Sequence, residues 1–267
     1  MKVLLLENIH SEAVRALESR GHEVEVLSSA LDEVELIEAL DGVELLGIRS
    51  RTHITERVLK AHPQLLAVGA FCIGTNQIDL PAAAAAGVAV FNAPYSNTRS
   101  VVELALGEII TLARRLGDRN SSMHAGIWDK SATGSHEVRG RTLGIVGYGN
   151  IGSQLSVLAE GLGMRVYFYD IVDRLALGNA TRVYSLQELF ERCETITLHV
   201  DGRASNAHMI GEKEFSQMRP RTLFLNLCRG NVVDVDALAA ALRSGHIAGA
   251  AVDVFPGEPA SKDEPFV

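Results

Sequence analysis

The 267-residue sequence predicts an α/β protein built as two doubly wound parallel sheets. Three observations carry that expectation. Short apolar runs alternate with helical patterns from end to end, a glycine-rich turn follows one of those runs, and a long apolar-rich helix separates two such series. Strands separated by helices pair in parallel and take helices on both faces of the sheet.

The first series places strands at 2–6, 22–27, 44–49, 65–71 and 87–92. Between them, 10–20, 32–40 and 55–60 have helical periodicity, and 79–86 reads as a short alanine-rich helix. A long helix should then start from a serine cap at Ser96 or Ser100 and run to about Leu116. A polar, irregular arm is expected over 118–140. It carries the only tryptophan, Trp128, as either an exposed interface anchor or a ring tucked against its own domain. The second series has candidate strands at 142–147, 165–169, 195–200, 222–227 and 249–253. The expected domains are therefore 1–95 and 96–267.

The turn is the most specific signal. In TLGIVGYGNIG an apolar strand enters Gly147-Tyr148-Gly149-Asn150-Ile151-Gly152, a helix follows, and the next strand, RVYFYD, ends at Asp170. This is the dinucleotide-binding arrangement of a Rossmann-like domain, and each part has a physical task. Gly147 permits the tight turn, Gly149 lets the backbone approach a pyrophosphate, and Gly152 lets helix and strand pack closely. The free N–H groups at the helix start face the phosphates. Asp170 can accept from a ribose diol and would repel a 2′-phosphate, so NAD is favoured over NADP.

A formal net charge of −8 with no basic run argues against nucleic acid or an anionic membrane as the main partner. It leaves room for a small anionic substrate held by a local arginine cluster. Cys72, Cys193 and Cys228 are scattered and lack CxxC spacing, so neither a disulfide framework nor a metal site is expected. The apolar run Val3–Leu6 is too short for a signal segment or a membrane span. A soluble, cytoplasmic protein is expected.

Four longer stretches, AFCIGTNQIDLPAAAAAGVAVFNAPYSNTRSVVELALGE, LGIVGYGNIGSQL, NLCRGNVVDVDALAAAL and GAAVDVFPGEP, resemble the D-isomer-specific 2-hydroxyacid dehydrogenase family. The resemblance runs in order over essentially the whole chain. It implies a substrate-binding domain and an NAD domain with a cleft between them, and a homo-oligomer, a dimer or higher. It also implies hydride transfer between NAD and a small anionic 2-hydroxy or 2-oxo acid, with 3-phosphoglycerate oxidation, the entry to serine biosynthesis, as the leading activity. Glyoxylate, hydroxypyruvate or 2-oxoglutarate reduction is the alternative within that chemistry, and a non-catalytic NAD-binding module is the alternative outside it.

The resemblance assigns Arg229 to the substrate carboxylate and carbonyl, and Glu258 to the carboxylate that tunes a catalytic histidine. His199 and Asp253 match cofactor-side positions. Arg49, Ser50 and Arg51 follow a strand, and two arginines two residues apart in extended chain point the same way. They suit a substrate with both phosphate and carboxylate, or are simply an exposed pair. Ile73, Gly74 and Thr75, with Asn76, resemble the loop that holds a substrate carboxylate through backbone N–H groups. Asn97, Thr98 and Ser100 resemble the crossover near substrate and nicotinamide.

The departure from the family lies at the end. Its catalytic histidine sits in Pro-His-x-Gly beyond the position of Glu258, whereas the nine histidines here all lie upstream, at 10, 22, 53, 62, 124, 136, 199, 208 and 246. The NAD domain is therefore expected to lack its last strand and helix. The chain is then a fragment or a natural truncation, and in either case without most of its turnover. Asp201 also stands where the family often has proline near the adenine.

Overall fold

Each short apolar run in the first series folds as a strand, and each polar-capped segment between them folds as a helix. Residues 1–257 are described by the computed structural model, which divides into one unit over Met1–Asn97 and a second beginning at Thr98. In the first unit β1 (Lys2–Leu5), β2 (Glu23–Val26), β3 (Leu45–Ile48), β4 (Ala67–Ala70) and β5 (Ala89–Asn92) alternate with four helices. These are α1 (Ser11–Glu18), α2 (Glu33–Ala39), α3 (Glu56–Ala61) and α4 (Leu80–Ala85). Helix α2 begins at a capping box in which Asp32 accepts from the N–H groups of Val34 and Glu35, both at 2.9 Å.

The strand order is β2-β1-β3-β4-β5, all parallel. Residues alternate between faces, so Leu4 and Leu6 join Leu36, Leu46, Ile48 and Val68 on one side. Val3 and Leu5 join Ile9 and the apolar stripe of α1 on the other. Each fully buried aliphatic side chain contributes about 1.5–3 kcal/mol. The order reverses direction between β1 and β3, and their carboxyl ends are where a doubly wound sheet binds ligands.

The second unit opens with α5 (Thr98–Arg114) and α6 (Leu116–His124). Its sheet contains β6 (Thr142–Val146), β7 (Arg165–Tyr169), β8 (Thr181–Arg182), β9 (Thr195–Leu198), β10 (Thr222–Asn226) and β11 (Ile247–Val252). The order is β11-β10-β9-β6-β7-β8, again all parallel. It is the dinucleotide-domain order, with its reversal between β6 and β9. One face packs Leu143, Ile145, Phe168 and Leu225 against α5 and against α7 (Asn150–Gly161). The other packs Val146, Leu198 and Phe224 against α8 (Leu186–Arg192), α9 (Glu212–Gln217) and α10 (Val235–Arg243).

Two local expectations fail, and one strand was unforeseen. No serine caps α5: Ser100 is its third residue, and the Ser96 hydroxyl donates instead to the Ala93 carbonyl at 3.1 Å. The arm does not begin as irregular chain, because 116–124 form α6. Arg115, at φ 55°, breaks the long helix and starts the next one. The very short β8 was not anticipated at all. Trp128 is 71% exposed, which removes the reading in which it packs against its own domain, and the Lys130 ammonium lies 5.7 Å from its ring centre. Among the described residues no helix is long and apolar enough to cross a membrane.

Candidate functional site

Strand β6 delivers the chain to Gly147, whose φ of +92° is a backbone that side chains rarely adopt. A Cβ there would lie 2.5 Å from the His199 carbonyl oxygen, and one on Gly152 would lie 2.2 Å from the Gly147 oxygen. These two glycines are needed for the fold itself. Gly149 differs, because a Cβ built on it meets nothing within 4 Å. It is the N-cap of α7, and no side chain caps that helix start. An open recess of about 440 Å³ lies over it, bordered also by Asn150, Ser153 and Arg174. A glycine facing open space at an uncapped helix start fits a pyrophosphate, so the residues present fit a dinucleotide.

Asp170 is partly spent on the fold. Its Oδ2 accepts from the Tyr148 N–H at 2.7 Å and its Oδ1 from the Val172 N–H at 2.8 Å. Each oxygen keeps a further lone pair for a diol. Arg174 Nε stands 3.8 Å from Oδ2 and was not foreseen as part of this recess, nor was Ser153. Ser153 lies one turn beyond Asn150 on the same helix, which is the signal that could have found it. Tyr148 turns inward: it is 2% exposed, stacks on Phe168 and shares a 2.7 Å hydrogen bond with Ser156. Ile151 packs into the core beneath. The side chains of both are therefore turned into the fold, and Ile151 does not border the recess.

His199 follows β9 and closes the floor of the Gly147 turn, its N–H donating to the Val146 carbonyl at 2.8 Å. Its Nε2 pairs with Thr197 Oγ1 at 3.0 Å, while Nδ1 is buried without a partner. Burial pushes its pKa down to about 4, so it is neutral at physiological pH. Unfolded histidine titrates near 6.5. Between about pH 6.5 and 4 the unfolded chain therefore takes up a proton that the folded chain refuses. Stability is full above that window and falls as the pH drops through it, by about 2–3 kcal/mol. His199→Gln should flatten this decline in urea unfolding at pH 7 and pH 5. An unchanged slope would show that the imidazole does not carry it.

At the carboxyl end of β10, Asn226 is 2% exposed and organises two neighbours. Its Nδ2 donates to the Arg229 carbonyl at 3.1 Å, and its own carbonyl accepts from the Asp253 N–H at 3.1 Å. Arg229 is half-buried, its stem against Gly202 and its Nη1 donating to the Cys228 carbonyl at 2.7 Å. Asp253 is exposed just past β11. Asn226 was missed, although a polar residue closing the apolar run TLFLN was a visible sign. Glu258 lies outside the described residues.

In the first unit, the carboxyl ends of β1 and β3 meet through one side chain. Glu7 is 7% exposed and sits at φ 62°. Its Oε1 accepts from the N–H groups of Arg49 at 3.2 Å and Thr52 at 2.9 Å, and its Oε2 from that of Arg51 at 3.0 Å. Burial alone would raise its pKa. The hydrogen bonds from Thr52, Arg51 and Arg49 together outweigh burial and hold it below the ordinary carboxylate value. Gln77 Nε2 donates to the carbonyls of Arg49 at 2.6 Å and Gly74 at 3.3 Å, tying the 49–52 loop to the 72–77 loop. Asn92 Nδ2 donates to the Ile73 carbonyl at 2.8 Å, and Thr75 is half-buried beside it.

Arg49, Ser50 and Arg51 are exposed, and among the described residues neither arginine forms an ion pair. The chain bends over 50–52, so the alternation of an extended strand does not set their directions. Glu7 fixes the backbone that carries both. Asn97 and Ser100 are exposed, whereas Thr98 is 4% exposed with its hydroxyl buried and unpartnered. Among the described residues no cluster of His, Cys, Asp and Glu could hold a metal ion.

Strand order, glycine cradle and terminal acid together define the second unit as a dinucleotide-binding domain of the Rossmann type. The sequence model for "D-isomer specific 2-hydroxyacid dehydrogenase, NAD binding domain" matches residues 106–267. Among relatives, the chain is 52% identical to D-3-phosphoglycerate dehydrogenase of Haemophilus influenzae, covering 100% of this chain and 65% of the relative. It is likewise 52% identical to the enzyme of that name from Dictyostelium discoideum, over 98% of this chain and 64% of the relative. A solved D-lactate dehydrogenase from Aquifex aeolicus, complexed with NAD and lactic acid, superposes with a TM-score of 0.85 at 26% identity, covering 99% of this chain and 83% of that one. The chain belongs to the D-isomer-specific 2-hydroxyacid dehydrogenase family and carries its NAD-binding domain. It spans about 65% of the length of the curated relatives it matches.

Proposed function

We propose that the chain forms the substrate and cofactor units of an enzyme that oxidises 3-phosphoglycerate to 3-phosphohydroxypyruvate, the first step of L-serine biosynthesis. The observation that carries this reading is the pair of exposed cations, Arg49 and Arg51, without an ion-pair partner among the described residues and anchored by one carboxylate at the reversal point of the first sheet. Relatives at 52% identity bearing the phosphoglycerate dehydrogenase name support the substrate. On this reading residues 1–95 hold the substrate and 96–267 hold NAD.

Bound NAD supplies the acceptor for the hydride leaving substrate C2. Gly149 and the start of α7 hold the pyrophosphate, and Asp170 holds the ribose diol. Arg229 takes the substrate carboxylate in its guanidinium fork and polarises the C2 oxygen. By the family resemblance, the N–H groups around Ile73, Gly74 and Thr75 are assigned to a substrate carboxylate, and Asn97, Thr98 and Ser100 to the crossover. Glu258 tunes the acid–base group, and Asp253 meets the nicotinamide amide. His199 lies on the cofactor side and is not offered as the acid–base group, because its Nδ1 is buried and its ring is neutral. The exposed Trp128 arm supports assembly with a second copy of the chain, and a cytoplasmic location belongs to the same reading, supported by the phosphoglycerate dehydrogenase relatives.

The test is NADH consumption with 3-phosphohydroxypyruvate by the full gene product. Arg49→Ala and Arg51→Ala should each raise KM for that substrate about ten- to a hundredfold, the cost of one lost charge-assisted contact, with kcat little changed. Unphosphorylated hydroxypyruvate should suffer far less. Equal losses on both substrates would remove the phosphate from the arginines and favour a reductase of unphosphorylated acids.

A further inference from the structure

The second unit has a further recess, away from the dinucleotide turn. Every sheet-borne part of it lies at the amino edge: Arg141 precedes β6, Glu194 precedes β9, and Arg219 to Arg221 precede β10. The glycine cradle follows β6, at the carboxyl edge of the same parallel sheet. The two places are thus separated by the length of the strands. The recess encloses about 200 Å³, below the range for drug-sized ligands and suited to a small ion.

Its charge is lopsided. Arg141, Arg219, Arg221 and His136 line it together with Glu194, its single acid among the described residues. That acid is already satisfied: one oxygen lies 3.3 Å from Arg141 Nη1, and the other accepts from the Thr142 N–H at 3.1 Å. Arg141 is 86% buried by its 14% side-chain exposure, and its Nε is buried without a partner. Arg219 reaches a carbonyl, that of Arg192 at 3.4 Å, and neither it nor Arg221 has an acid partner among the described residues.

Arg221 adds an independent sign. Its φ is 67°, the left-handed backbone that glycine takes freely and a side chain takes under strain. Its N–H donates to the His246 carbonyl at 2.6 Å, which fixes that conformation. The guanidinium reaches the 134–136 segment, with Nη2 4.0 Å from where a Cβ of Gly134 would stand. A strained backbone that brings a further cation into a recess already lined by arginines points to something negative among them.

We propose that this recess is a second anion site, separate from the dinucleotide cradle, that takes a phosphate group, either as the free ion or on a small phosphorylated metabolite. The planar forks of Arg219 and Arg221 offer the multidentate contact that a tetrahedral oxyanion accepts. Neither the cradle nor the Arg49–Arg51 loop contributes a residue, so the proposal stands apart from the assigned activity.

The experiment is calorimetric titration of the chain with inorganic phosphate and, separately, with glycerol 3-phosphate, at saturating NADH so that the cradle is closed to phosphate. Saturable binding is expected for at least one probe. Binding of both assigns the free ion, and binding of the ester alone assigns a metabolite. Arg221→Gly should weaken binding at least about tenfold, one lost charge-assisted contact. It should not lower the melting temperature, because glycine suits the left-handed backbone. Arg219→Gln provides a second variant whose backbone carries no such strain, and it should weaken binding too. NADH affinity should be unchanged in both. The proposal fails if neither probe saturates by about 10 mM, a ceiling for useful affinity. It also fails if both variants bind as the parent does. A change of oligomeric mass in the variants without phosphate binding would instead assign the arginines to a contact between copies.

Discussion

Replacing Glu7 by glutamine is expected to destabilise the first unit by about 2–4 kcal/mol, the scale of losing charge-assisted acceptors inside a protein. The carboxylate accepts three backbone N–H groups, from Arg49, Arg51 and Thr52. A glutamine keeps one acceptor oxygen and turns an NH₂ donor toward a donor, so at least one buried N–H loses its partner. The arginine loop then loosens, and the anchoring of any anion by Arg49 and Arg51 weakens with it. The pH dependence distinguishes this from a generic packing defect. Because the folded-state pKa of Glu7 is lowered, its contribution is complete above the unfolded value of about 4.3. It is lost as the pH falls through the folded-state value. Parent and variant should therefore differ in urea unfolding at pH 7 and converge in acid. A constant difference at all pH values would mean that the charge is not what Glu7 supplies.

Glu7 also marks the limit of what was legible in advance. The sequence shows an acid directly after the strand KVLLL, but the N–H groups that donate to it sit 42 to 45 residues further along the chain. Only the parallel pairing of β1 with β3 brings them together. The strands themselves could be read because each is a short apolar run bounded by turn residues, and the helices because their caps and apolar periods are local. By contrast α6 buries no residue, so it carries no apolar period to detect. Strand β8 is two residues long at a sheet edge, too short for any alternation. The glycine turn was legible because its constraints are steric and local, whereas the inward turn of Tyr148 depends on Phe168 and Ser156, which only the fold supplies. Asn226 is similar: its position in TLFLN is visible, but the two chain segments it ties become neighbours only through β10 and β11.

The same steric logic separates the three glycines of the cradle and gives the second large expected effect. Gly149→Ala should leave the fold nearly untouched, because its Cβ enters open space and its φ of −82° suits any residue. It should nevertheless weaken NADH binding at least about tenfold, since that methyl group occupies the ground on which a pyrophosphate must approach the backbone. Gly152→Ala should fail differently. Its Cβ would stand 2.2 Å from the Gly147 oxygen, so α7 must move away from β6 before any ligand is considered. Overpacking of this kind costs about 1–3 kcal/mol, and NADH binding should fall together with stability. Calorimetric titration with NADH, paired with thermal unfolding of the ligand-free chain, resolves the two cases. If Gly149→Ala binds NADH as tightly as the parent, the pyrophosphate does not lie over the start of α7. The recess beside Asn150 and Arg174 would then need another occupant. If it unfolds early instead, the space over Gly149 is not open in solution, and the division between glycines that shape the turn and the glycine that meets the ligand does not hold.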